Sequence, residues 1–118
     1  MKFLCLGYLN MQQFDAAPEE VKSEILTKCS SQVKLFRATG KVVEEAGLHH
    51  TSTSKVIRPR GGRPSVTDGP FIEAKEQLGS FFVIEADSIE DAVEVASLHP
   101  AATFGEEYGF GIEVRLIQ

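Results

Sequence analysis

The sequence predicts an α+β domain in which an antiparallel sheet carries two helices on one face, and three observations point to it. Two segments, Phe3 to Leu9 and Ser80 to Ala86, are apolar almost without a break. Strands of that kind are covered on both faces and lie at the centre of a sheet. Two other segments repeat apolar residues at helical spacing: Val21, Ile25, Cys29, Val33 and Phe36, then Ile89, Ala92, Val93 and Ala96. The third observation is the order, which reads strand, helix, strand, hairpin, strand, helix, strand. Without the hairpin it is the β-α-β-β-α-β arrangement of ferredoxin-like folds.

Each element has a local cause. The first helix is expected over Pro18 to Thr39, because Pro18 suits a first turn and Glu19 and Glu20 suit the positive end of the dipole. Lys34 and Arg37 suit its negative end, and Gly40 stops it. Lys41 to Ala46 reads as a strand. Thr53 to Pro59 and Pro64 to Thr67 flank Arg60-Gly61-Gly62-Arg63, where Gly-Gly favours a tight turn. Prolines cannot donate to a ladder, so this hairpin belongs at an edge or projects from the sheet. Ser88 with Asp91 resembles a capping box, with Asp87 as an alternative cap, and Pro100 ends the second helical region. Ile112, Val114 and Leu116 alternate with Glu113 and Arg115 in a half-exposed closing strand.

A chain of 118 residues without repeat or linker is one domain, residues 1–118. Twelve Lys and Arg against 17 Asp and Glu leave a net charge of −5, which argues against nucleic acid or an acidic membrane as partner. No apolar run approaches the ~20 residues of a bilayer span. The opening MKFLCLGYLN lacks a following small-residue cleavage site and reads as a first strand. Two Cys make no disulfide scaffold, so a reducing cytoplasm is expected. Both helices cover one face of the sheet, and a second copy is the simplest cover for the other, so a homodimer is expected.

The run Val66-TDGPFIEAKEQLGSFFVIEA-Asp87, with the opening MKFLCLGYL and the closing GIEVRLI, resembles the DGPF-domain branch of the YCII-related family of small bacterial proteins. The resemblance spans nearly the whole chain. It implies a ferredoxin-like α+β fold pairing into a dimeric α+β barrel, and it implies no single activity. Sites in the broader family have been placed around a His and Asp pair. In the matching register the first position falls near Cys29, and the Asp-Pro after the second helix reads His99-Pro100. The chain also departs from the family pattern at Leu116, where Pro is common, and in a longer Ala101–Gly109 segment.

Candidate site residues carry two readings each. Asp68 in Asp68-Gly69-Pro70-Phe71 is accounted for by turn chemistry, with Phe71 as a core plug; alternatively Asp68 is a catalytic base or acceptor, with Phe71 lining a substrate site. His99 suits a helix C-terminus if protonated, or serves as a general acid or base, and it is the best candidate for proton transfer. Lys75 sits between Glu73 and Glu76 as a solvated cluster, or binds a substrate carboxylate. Cys29 is an inert core thiol or lines the substrate site; a thiolate would need a lowered pKa. His49 and His50 read as loop residues, and with no metal-binding spacing neither metal nor cofactor is expected. Arg58, Arg60 and Arg63 cluster at the hairpin tip, a solvated end or a contact for an anion or partner.

Two functions follow. One is a small-molecule protein, binding or converting a small organic acid by proton transfer, with Asp68, Phe71, Lys75 and His99 lining one cleft. The other is a non-catalytic dimeric module for interaction or metabolite sensing.

Overall fold

The computed structural model describes residues 1–118. Its strands are β1 (Lys2–Leu9), β2 (Val42–Gly47), β3 (Lys55–Arg60), β4 (Arg63–Asp68), β5 (Gln77–Glu85) and β6 (Gly111–Leu116). Its helices are α1 (Met11–Asp15), α2 (Glu19–Ala38) and α3 (Ile89–Ala96), with 3-10 turns at Thr51–Thr53, Pro100–Ala102 and Glu106–Tyr108. Four strands form an antiparallel sheet in the order β2-β5-β1-β6, the ferredoxin-like order, and β3-β4 stand apart as a two-stranded hairpin. The two strands that are apolar on both faces, β1 and β5, are the central pair.

Alternation divides the sheet into two faces. Phe3 and Cys5 of β1 pair in register with Ile84 and Phe82 of β5, and all four are buried under the helices. They meet Phe36 of α2 and Ala92 and Ala96 of α3 in one core, where the small alanines let α3 come close to the strands. Leu4 and Leu6 point the other way, opposite Val83 and Phe81, and these four are half-buried. Around them on that face lie Glu44, Glu113 and Arg115.

The local signals act largely as expected. Ser88, and not Asp87, caps α3, its hydroxyl accepting the Asp91 N–H at 3.1 Å. Gly40 follows α2 with φ +69°. Gly61 and Gly62, at φ +58° and +78°, close the hairpin in the left-handed geometry that glycine alone adopts readily. Two features differ from expectation. The turn after β1 is a short helix, α1, begun by Asn10, whose side chain accepts the Gln13 N–H at 3.0 Å. And α3 ends at Ala96, so His99 does not sit on the last helical turn; it starts the following 3-10 turn.

Candidate functional site

The helix-facing row of the sheet changes size along its length. At one end stand Phe3, Cys5, Phe82 and Ile84; at the other, Gly7 pairs with Ser80, and Ser80 pairs with Gly47 of β2. A Cβ on Gly7 would run into the Ser80 side chain, so this end of the sheet is held small by the approach of its own strands. Under α2 the missing side chains leave a hollow of about 700 Å³. Its floor is Gly7, Ser80 and Gly47, its roof Ile25, Cys29 and Val33 of α2, and Phe14 and Phe110 also line it. Phe14 meets Phe110 edge to face at 5.7 Å. His99 and Arg37 supply charged or titratable atoms to a hollow that is otherwise mostly apolar.

His99 is fixed from four sides. Its ring stacks on Phe82 at 4.7 Å and 17°, and meets Phe36 edge to face at 5.0 Å. Its Nδ1 accepts the Ala101 N–H at 3.1 Å, capping the 3-10 turn. Gln32 of α2 donates to the Leu98 carbonyl at 3.1 Å and holds the preceding residue in place. Burial pushes the imidazole below its ordinary pKa of 6.5; Glu45 opposes that shift and Arg37 adds to it. The ring is therefore neutral at neutral pH, and no helix dipole is needed to explain its position. Phe82 and Phe36 also meet each other at 4.8 Å, so the ring packs on a rigid aromatic pair.

Arg37, in the last turn of α2, holds Glu45 of β2 in a forked contact, with Nε at 3.1 and 3.0 Å from the two carboxylate oxygens and a terminal nitrogen at 2.6 Å. These hydrogen bonds keep Glu45 below the usual carboxylate range. Cys29 lines the same hollow as His99, and burial raises its thiol, so the nucleophilic thiolate is disfavoured there. No hydrogen bond joins the two.

The other sequence candidates lie elsewhere. Within one chain, Asp68, Phe71 and Lys75 do not share the cleft of His99. Asp68 ends β4, mostly exposed, and ion-pairs with Lys55 across the hairpin at 2.5 Å. Gly69 donates to the Ser54 carbonyl at 2.9 Å, which ties the arm to the loop before β3, and the Gly69-Pro70 bond is cis. Phe71 plugs no core: it is 58 % exposed, with the Arg58 guanidinium 4.0 Å above its ring. It faces a second hollow of about 750 Å³ between the arm and the end of the sheet. Lys75 lines a third, of about 540 Å³, beside Asp15, Glu73 and His50. His50 spends both ring nitrogens within the chain, Nδ1 accepting the Ser52 N–H at 3.1 Å and Nε2 lying 3.3 Å from Asp15. No three His, Cys, Asp or Glu side chains converge as metal ligands.

Sequence reasoning read Arg37 only as a helix-end charge and left Glu45, Gly7 and Ser80 unassigned. The available signal was the interruption of two otherwise bulky strands by Gly7 and by Gly79-Ser80.

Sheet order, inserted hairpin and a hollow between one helix and the sheet define a ferredoxin-like α+β domain with an open, ligand-sized cleft. Residues 1–110 match the YCII-related domain, and the chain belongs to that family. It is 29 % identical over 96 residues to uncharacterized protein R00369 of Rhizobium meliloti (strain 1021), covering 81 % of this chain and 77 % of that one. Its fold also resembles 5-chloro-2-hydroxyhydroquinone dehydrochlorinase (TftG) from Burkholderia phenoliruptrix AC1100, solved in complex with 2,5-dihydroxybenzoquinone. That likeness has a TM-score of 0.52 and 15 % identity, and it covers 100 % of this chain and 94 % of the other. No helix is long and apolar enough to cross a membrane.

Proposed function

We propose that the chain binds a small organic acid in the hollow beneath α2 and, without a cofactor, promotes a proton shift on it by stabilising the charge that develops on oxygen, the proton itself passing to and from solvent. His99 is hydrogen-bonded to the oxygen on which charge changes. The observation that carries this reading is a single one: a titratable ring locked by Phe82, Phe36 and Ala101 on the wall of a mostly apolar space large enough for a small molecule. Cys29, as a neutral thiol, lines the substrate. The bound quinone of the structural neighbour is a compact oxygen-bearing ring of the size such a space takes, which supports the same ligand class. Asp68, Phe71 and Lys75 take no part in this reading. The working form is a cytoplasmic homodimer of the DGPF branch, its copies meeting through the sheet face of Leu4, Leu6, Phe81 and Val83.

The test is thermal stabilisation of the wild type, Ser80→Phe and His99→Ala by a panel of aromatic and aliphatic carboxylic acids, enols and quinones. A ligand at a hundredfold excess over its dissociation constant adds ~2.7 kcal/mol, which raises Tm by several degrees in a domain of this size. The stabilisation should vanish in Ser80→Phe, whose side chain fills the floor of the hollow. No stabilisation of the wild type, or the same rise in Ser80→Phe, refutes the reading.

A second reading, a non-catalytic interaction module, rests on the arm. Arg58, Arg60 and Arg63 stand there beside the exposed apolar Ile57 and Val66. Capture of a partner by the wild type and its loss in Arg60→Glu/Arg63→Glu would favour it.

A further inference from the structure

We propose that His99 presents to the hollow a fixed Nε2–H donor, so that the site selects its ligand by an acceptor oxygen (carbonyl, enolate or carboxylate) and rejects ligands whose polar end only donates. This rests on the binding reading above and names its ligand class. The tautomer follows without any hydrogen being seen. A backbone amide can only donate, so the Ala101 N–H at 3.1 Å makes Nδ1 an acceptor, and a neutral ring then carries its proton on Nε2.

The chain's other capping histidine shows what is unusual here. His50 uses the same device, Nδ1 accepting the amide two residues on, but its Nε2 is spent on Asp15. His99 has no partner at Nε2, and that atom is not sealed from solvent. The remaining polar side chains add donors and remove acceptors. The Glu45 carboxylate is occupied by Arg37, and the third nitrogen of that guanidinium has no partner. The Ser30 hydroxyl spends its proton on the Leu26 carbonyl, leaving Ser80 and Tyr8 as hydroxyls that can serve either way. The charges acting on the ring are Glu45 of β2 and Arg37 of α2, and Cys29 of α2 and Tyr8 of β1 are the other titratable side chains lining the hollow.

The chemical consequence is a division of labour. To accept a proton at Nε2, the ring would first have to move its own proton to Nδ1, against the Ala101 N–H. His99 therefore stabilises negative charge on a substrate oxygen, as a neutral electrophile, and does not remove a proton from carbon.

Two measurements decide it. In the free protein near pH 7, nitrogen-15 NMR of His99 should show an unprotonated Nδ1 and a protonated Nε2; a proton on Nδ1, or on both, overturns the proposal whether or not anything binds. Benzoate and benzamidine, similar in shape and opposite in hydrogen-bonding sense, are then titrated into wild type, His99→Gln and His99→Phe. Gln keeps an N–H near the place of Nε2, and Phe keeps the stack without a donor. Benzoate should bind wild type and the Gln variant similarly and the Phe variant at least about tenfold more weakly, and benzamidine should not bind. Equal binding of the two probes, or undiminished benzoate binding by His99→Phe, overturns the selectivity. Failure of both probes on every variant overturns the binding reading and the selectivity with it, while the NMR result still decides the tautomer.

Discussion

His99→Phe should change how stability depends on pH, with a sign fixed by the burial of the ring. In the folded chain the imidazole sits below its ordinary value of 6.5, so the unfolded chain takes up a proton first as pH falls. Stability supplied by the neutral ring is fully present above 6.5 and is lost as pH falls from there through the folded pKa. One proton limits the slope to ~1.4 kcal/mol per pH unit. At pH 7 the Phe variant keeps its contacts with Phe36 and Phe82 but leaves the Ala101 N–H unpaired, a cost of ~1–3 kcal/mol offset by burying carbon in place of nitrogen. A chain of 118 residues with ~0.05–0.15 kcal/mol of stability per residue tolerates that loss. Urea denaturation of both proteins between pH 5 and 8 gives the comparison. The wild-type advantage should be constant above 6.5 and shrink below it, because the substitution removes the His99 proton and Glu45, held low by Arg37, stays charged. A difference independent of pH, or one that grows on acidification, would refute the assignment of a buried neutral ring.

Other outcomes follow from burial alone. Phe82→Asp should fail to fold, since its side chain lies in the core, whereas Leu4→Asp, on the opposite sheet face, should give a folded monomer by light scattering if a second copy covers that face. Gly47→Val should raise the urea midpoint, adding ~0.4–1 kcal/mol, because its backbone is extended and nothing stands within 4 Å of the new Cβ; a fall would mean the site is strained. Asp68→Asn should leave both Tm and benzoate binding unchanged, as it removes only an exposed ion pair with Lys55.

The sheet and helices were legible because their signals are local. Val21, Ile25, Cys29, Val33 and Phe36 can share one face only as a helix, and the doubly apolar β1 and β5 can only be central. The short α1 escaped because a single capping Asn10 leaves little periodicity to read. The site was legible only in part. His99 and Cys29, far apart in the sequence, line one hollow because α2 and the segment after α3 lie on the same face of one sheet. The sequence also points to Asp68, Phe71 and Lys75 as lining one cleft with His99, because they share one motif. That motif serves the arm, whose Gly69–Ser54 and Asp68–Lys55 contacts no spacing rule reveals.

The two cysteines occupy places of opposite character, and so they keep different time. Cys5 is fully buried in the central strand with its thiol pushed up to about 11, so an alkylating reagent reaches it only when the sheet itself comes apart. Cys29 lies on the wall of the hollow, where smaller openings of α2 suffice. The rate of labelling at Cys5 therefore reports opening of the whole molecule, and the rate at Cys29 reports breathing of the ligand space. Anything that occupies that space should slow the first clock by the full stabilisation it confers, and the second to the same extent only where the opening of α2 also expels it.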